Sequence, residues 1–407
     1  MRLAKEGVPR EELFARMRDM KAEDADWRGG RTWSLIYPAG EDVDEVLREA
    51  NELYVFENAL NPFKFPSLRR MEAEVVQMTA GLLNADERSG GSMTSGGTES
   101  ILMAVKSARD RAREERGVTR PEMIAPRSAH PAFAKAAHYF CVELKQAPLR
   151  DDLRADVDAV ADLITDGTVL VVGSAPNYPH GVIDPIPELA ALAAERGISF
   201  HTDACLGGFL LPFLERLGHP VPPFDFRVPG VTTMSADVHK YGYCTKGASV
   251  VVHREQAHLR HQMFLYDRWP GGMYGSMAMA GARPAAPIAA AWAIMSYLGE
   301  EGYLRLARVI MDTTARIRAG IEAVPGLHLW GDPDMSVLAF GSEDVDIMAV
   351  GDGMDDRGWH LDRQAGPPAL HLMVTPNHAR VADLFLSDLR ESVAGAGESR
   401  GVEARYS

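Results

Sequence analysis

The octapeptide Ser235-Ala236-Asp237-Val238-His239-Lys240-Tyr241-Gly242 sets a lysine between an apolar run and a glycine-containing turn. Most lysines are solvated surface charges. Apolar and aromatic neighbours make this one internal, and a desolvated lysine of lowered pKa is what Schiff-base chemistry requires. Ser235 and His239 stand beside it as donors for an anion. Upstream, Ser95-Gly96-Gly97-Thr98-Glu99-Ser100 directly precedes a helical pattern in which Ile101, Val105, Ala108 and Ala112 share one face. Glycines let the backbone approach a ligand, and a helix start offers unpaired N–H groups, so the segment reads as a phosphate cup or as a tight turn. Asp203, in His201-Thr202-Asp203-Ala204-Cys205, ends an otherwise apolar run. Its carboxylate is either buried against a partner or caps the helix that follows. His130, in Ser128-Ala129-His130-Pro131, and Tyr178 with His180, in Pro176-Asn177-Tyr178-Pro179-His180-Gly181, each fit ordinary loops when taken singly. As a set these residues supply a density of ionisable chemistry that purely structural loops seldom show.

The elements that must position them follow from apolar runs. Residues 123–126, 168–174, 198–202, 231–234 and 248–252 predict buried strands, each short, often β-branched and bounded by breakers. Helical patterns over 156–164 and 187–196 lie between them, which predicts a parallel or mostly parallel sheet wrapped by helices. In such sheets ligands sit outside the carboxyl ends of the strands. His130, then Tyr178 with His180, then Asp203, then the run from Ser235 to Lys240 all fall just past proposed strand ends, and so converge on one rim. After about residue 290 the pattern changes to helices over 290–298 and 302–321, strands over 328–330, 336–340 and 369–373, and a last helix over 378–393. Pro325-Gly326, Gly331-Asp332-Pro333 and Gly366-Pro367-Pro368 supply the turns of this smaller α+β unit. The expected plan is an N-terminal helical segment over 1–60, a large α/β cofactor-binding domain over 61–290 and a small C-terminal α+β domain over 291–407.

Composition bounds the partners. A chain of 407 residues with 43 basic and 57 acidic side chains, net charge −14, offers no broad surface for nucleic acid or an anionic membrane. Cys141, Cys205 and Cys244 lie far apart and form no CxxC pair, which argues against a metal module or disulfide framework and fits a reducing, cytoplasmic setting. No apolar stretch approaches the roughly 18 to 20 residues that span a bilayer, and the charged residues 1–30 do not read as a signal peptide. Leu13, Met17 and Met20 instead predict an amphipathic helix over 11–26 that packs on the body or on a partner subunit.

These residues resemble the sphingosine-1-phosphate lyases, in the group II decarboxylase branch of the fold-type I pyridoxal-phosphate enzymes. The resembling segments run from about residue 33 to 393 and include 94–100, 128–137, 179–185, 203–209, 235–247, 269–284 and 340–341. The resemblance implies an α/β, fold-type I transferase-like architecture with a mostly parallel seven-stranded sheet and a smaller α+β C-terminal domain. It implies pyridoxal 5'-phosphate as cofactor, with Lys240 joined to it as a Schiff base, Asp203 on the pyridine nitrogen and His130 stacked over the ring. Gly97, Thr98, Ser235 and His239 would hold the cofactor phosphate. A homodimer with shared sites is also implied, in which the segment 271–276, including Ser276, reaches the neighbouring subunit's phosphate. Tyr37, Asn58 and Lys246 match positions that face the phosphate of a lipid head group, and Tyr178 matches an aromatic position near the reacting carbons. In Asn58-Ala59-Leu60-Asn61-Pro62 the chain departs from the family, which usually has proline at the second position and histidine where Asn61 stands, so one potential cation is absent.

The implied reaction is retro-aldol cleavage of sphingosine 1-phosphate, or a related phosphorylated long-chain base, to phosphoethanolamine and a long-chain aldehyde. The base for the C3 hydroxyl stays open among Tyr178, His180, Lys240 and the substrate phosphate. An amino-acid decarboxylase, or an aldolase for a smaller amino substrate, would share the same cofactor apparatus. Retention of Lys240, Asp203 and His130 together argues against a silent binding protein. Family members can carry an N-terminal membrane anchor; none is expected here, and so no stable membrane insertion.

Overall fold

The computed structural model describes residues 2–61, 63–402 and 404. Seven strands, β1 (Gly90–Thr94), β2 (Glu122–Pro126), β3 (Glu143–Ala147), β4 (Thr168–Ser174), β5 (Ser199–Asp203), β6 (Thr233–Ala236) and β7 (Ser249–His253), form one sheet in the order β1-β7-β6-β5-β4-β2-β3. Strands β2 to β6 pair in parallel, and β7 runs antiparallel between β6 and β1. Covered on both faces, the central strands are apolar throughout: Val169, Leu170, Val171 and Val172 in β4 are wholly buried. The five runs predicted as strands are β2, β4, β5, β6 and β7, and the mostly parallel, seven-stranded, fold-type I architecture is present.

Two sheet strands carry no apolar run. β1 reads Gly-Gly-Ser-Met-Thr, and its glycines serve close packing: a Cβ on Gly91 would lie 2.4 Å from the Val251 carbonyl oxygen. β3 is a polar edge strand, Glu-Leu-Lys-Gln-Ala. Helix Gly97–Arg116 leaves β1 and packs its apolar face, including Ile101, Val105 and Ala108, under the sheet.

An exposed hairpin, β8 (Phe264–Tyr266) and β9 (Tyr274–Ser276), leads to the long helix Ala286–Glu322. That rod was expected as two pieces, and the break between them is Gly299, whose φ of 52° leaves the helical region. The smaller sheet follows, with β10 (Leu327–Leu329), β11 (Val337–Ser342), β12 (Asp362–Ala365) and β13 (Pro368–Met373) in the all-antiparallel order β10-β11-β13-β12. Its core joins both ends of the chain, because Trp33 is fully buried there, stacked on His378 at 3.9 Å and packed against Phe385 at 4.5 Å. The amphipathic helix near the N-terminus spans Arg10–Lys21, shorter than the expected 11–26, and buries none of its residues.

Candidate active site

The carboxyl ends of β1, β2, β5 and β6 surround a cavity of about 270 Å³. Gly97, Thr98, His130, Asp203, His239 and Lys240, six residues singled out from sequence, line it together. Gly97 begins helix Gly97–Arg116, and a Cβ there would lie 2.8 Å from both Asp237 Oδ2 and Cys205 Sγ. Glycine is thus what keeps this helix N-terminus open to an anion. His239 closes the same end, 3.2 Å from where a Gly96 Cβ would stand.

Asp203 is the last residue of β5, and its Oδ1 accepts the Cys205 N–H at 3.1 Å and the Ser235 hydroxyl at 3.2 Å. Ser235 is wholly buried and also bonds His201 Nε2 at 3.1 Å. The alternation of β6 turns Ser235 toward Asp203, where its hydroxyl supports the carboxylate and does not line the cavity. Burial pushes His201 down to about 4, so that ring is neutral and acts as a strut. A buried carboxylate held at one oxygen suits a protonated heterocyclic nitrogen.

Lys240 Nζ lies 3.0 Å from Asp237 Oδ2, and His239 Nε2 lies 3.6 Å from the same oxygen. Burial alone would raise the Asp237 carboxyl, yet Lys240 and His239 outweigh it and hold the group below its ordinary range. Asp237 Oδ1 is buried with no hydrogen-bond partner among the described residues, leaving acceptor capacity at the cavity wall. The sequence reading passed over Asp237. Its signal was a carboxylate three residues before the lysine within an apolar segment, where only a paired charge is tolerated.

Beside this cavity a smaller one, about 180 Å³, is lined by Tyr37, Tyr178, His239, Lys240, Lys246 and Met373. Lys246 Nζ donates to the His239 carbonyl at 2.9 Å and stands 4.8 Å over the Tyr37 ring. Burial, reinforced by Lys240, pushes Lys246 down to about 8. Two lysines in one small cavity suit a dianion. Tyr178 also borders a third cavity of about 330 Å³ that His130 shares. His130 accepts the Ala132 N–H on Nδ1 at 3.1 Å, and burial lowers its pKa, which leaves a neutral ring able to lie against an aromatic cofactor.

Besides Ser235, four expected residues are not brought to these cavities. His180 is 3% exposed and lines none of the three, and burial, with His371, pushes it down to about 4. Asn58 and Asn61 fold back on their own loop: Asn58 Oδ1 accepts the Leu60 N–H at 2.9 Å and Asn61 Oδ1 the Phe63 N–H at 3.0 Å. Ser276, at the end of β9, donates to the Ala278 carbonyl at 3.0 Å. It lines a separate groove of about 790 Å³ with Ala59, Leu60 and Arg283.

Residues 31–342 match the family described as the pyridoxal-dependent decarboxylase conserved domain. A sphingosine-1-phosphate lyase of Arabidopsis thaliana is 45% identical over 390 residues, covering 94% of this chain and 72% of that protein. The solved structure of a sphingosine-1-phosphate lyase from Burkholderia pseudomallei superposes with a TM-score of 0.94 at 44% identity, over 97% of this chain and 93% of that one. A glutamate decarboxylase of Lactobacillus brevis shares the fold, with a TM-score of 0.86 over 99% and 96% of the two chains, at only 20% identity.

Proposed function

From the premise that the chain belongs to the sphingosine-1-phosphate lyases of the pyridoxal-dependent decarboxylase family, we propose that it cleaves sphingosine 1-phosphate, or a closely related phosphorylated long-chain base, to phosphoethanolamine and a long-chain aldehyde. The observation that carries the substrate assignment is the placement of Lys246 and Tyr37 next to Lys240: a cation for a substrate phosphate in the same small cavity as the reactive amine.

The cavity fits pyridoxal 5'-phosphate on its own features: the glycine-opened helix start, the half-satisfied Asp203 and the lysine at the wall. Gly97, Thr98 and His239 would hold the phosphate, His130 would cover the ring, Asp203 would hold the ring nitrogen and Lys240 would bind the cofactor. When bound, this cofactor supplies the electron sink that accepts the pair left on C2 as the C2–C3 bond breaks. Asp203 keeps the ring nitrogen cationic. Opposite charges about 4 Å apart gain roughly 1 to 4 kcal/mol between water and a partly buried site, up to about three powers of ten in rate. Lys240 would bind the cofactor, and Asp237, 3.0 Å away, holds its side chain as an ammonium when it is not so bound. Lys246 fixes the substrate phosphate and so the register of C2 and C3.

The proposal extends to a homodimer with shared sites, in a cytoplasmic setting. In support, Phe264, Leu265, Trp269 and Met273 in and around the β8–β9 hairpin are each more than half exposed, as are Phe56 and Phe63. The same region carries Asn58, Asn61 and Ser276, which lie outside the cavities that Lys240 lines. Among the described residues no helix is long and apolar enough to cross a membrane.

The test is release of long-chain aldehyde by the cofactor-loaded protein, with Lys240→Ala as control. The variant should lose both turnover and the visible band of the lysine-bound cofactor. A variant that retains both would refute the role of Lys240.

A further inference from the structure

Tyr178 is mounted by a single hairpin of the smaller sheet. On adjacent strands, Asp362 of β12 and His371 of β13 stand directly opposite each other, so their side chains share one face. The Tyr178 hydroxyl donates to Asp362 Oδ2 at 2.6 Å, while the Tyr178 carbonyl accepts His371 Nε2–H at 2.8 Å. The His371 ring lies 4.3 Å from the phenol ring. Two residues along β12, Gln364 Nε2 donates to the carbonyl of the next loop residue, Pro179, at 2.8 Å. The second oxygen of Asp362 accepts the Ser34 hydroxyl at 3.1 Å, which fixes the carboxylate itself. Three side chains on one face therefore grip a two-residue stretch of the β4 loop from 184 residues away in sequence.

A carbonyl can only accept, so His371 carries its proton on Nε2; its buried Nδ1 has no partner among the described residues. That ring is a neutral clamp and leaves Asp362 as the charged group on the phenol. A carboxylate that takes the O–H of Tyr178 turns the proton toward the hairpin, on a residue that borders two of the cavities. A phenol that accepts the proton of a substrate hydroxyl must give up its own, and Asp362 Oδ2, 2.6 Å away, is where that proton goes.

We propose that Asp362 is a positioning residue of the cleavage reaction, holding the Tyr178 hydroxyl so that its oxygen faces the substrate's C3 hydroxyl. This rests on the lyase reading above. It assigns to the C-terminal sheet a part in catalysis that acts through Tyr178 alone.

The experiment is a double-mutant cycle on the cofactor-loaded enzyme with sphingosine 1-phosphate, using Asp362→Asn, Tyr178→Phe and both together. Asp362→Asn should lower kcat about 10- to 100-fold with KM held within about threefold, because orientation and not binding is lost. The double variant should be within about twofold of Tyr178→Phe, since residues acting as one unit are not additive. Asp362→Glu keeps the charge and shifts the acceptor, so its kcat should fall between wild type and Asp362→Asn; if Asp362→Asn does not fold, Asp362→Glu enters the same cycle. The cofactor absorption band and the melting temperature should change little in the single variants. Independent, multiplying losses, an effect confined to KM, or an unaltered kcat would each overturn the proposal while leaving the lyase function intact. A wild type that releases no aldehyde would overturn the function and this proposal with it.

Discussion

Lys240 and Lys246 share one small cavity, and their proximity has a consequence in pH. Lys246 is pushed down to about 8, first by burial and then by Lys240, so its charge is lost as pH rises through that value and not above 10 as for an ordinary lysine. A substrate phosphate needs the charged form. KM for sphingosine 1-phosphate should therefore rise between about pH 7 and pH 9, and Lys246→Met should raise KM about tenfold at pH 7 and flatten the dependence. Steady-state kinetics across pH checks this; a Lys246→Met enzyme with unchanged KM would remove the lysine from the phosphate site. At this scale much was legible from residue type and position. Lys240, Asp203 and His130 follow from apolar context and strand ends, whereas Lys246 needed the family resemblance. The bond from Ser235 to Asp203 was not legible, because strand alternation, invisible without a register, decides which way a hydroxyl beside the lysine faces. Asp362 could not be found, since nothing local in Asp362-Arg363-Gln364 points to a phenol 184 residues earlier.

Helix Gly97–Arg116 is the element on which cofactor binding turns. Its first residue has no room for a methyl group, since a Cβ there would stand 2.8 Å from both Asp237 Oδ2 and Cys205 Sγ. Gly97→Ala should weaken pyridoxal 5'-phosphate affinity about tenfold or more through backbone displacement at the phosphate cup, with thermal stability of the cofactor-free protein nearly unchanged. Titration of the visible band against added cofactor measures it, and unaltered affinity would show that the cup is not the phosphate site. The buried β-branched strands were readable because they must be apolar on both faces. β1 was not, because its glycines serve approach to β7 and erase the hydrophobic signal. The small sheet was largely readable, but β12 presents polar side chains to the active-site loop and so resembles a linker.

At the scale of the whole molecule, the exposed aromatic and aliphatic side chains of the β8–β9 hairpin and of residues 56 and 63 predict self-association. Light scattering on the purified protein should give twice the chain mass of 44.5 kDa, and mixtures of Lys240→Ala chains with chains truncated in the segment 271–276 should recover activity that neither has alone. A fully active monomer would exclude shared sites. The fold and the cofactor cavity were accessible from one chain's sequence because both are built by short-range pattern and strand order. Positions such as Asn58, Asn61 and Ser276 were harder to place, because their side chains are occupied by local main-chain groups within this chain. The central claim concerns which bond breaks, C2–C3 of a phosphorylated long-chain base or the carboxyl bond of an amino acid on the same scaffold. The most direct measurement supplies the cofactor-loaded protein with sphingosine 1-phosphate and, separately, with glutamate and aromatic amino acids, and quantifies long-chain aldehyde, phosphoethanolamine and carbon dioxide. Equimolar aldehyde and phosphoethanolamine are expected from the first and no carbon dioxide from the others; carbon dioxide without aldehyde would make the protein a decarboxylase instead.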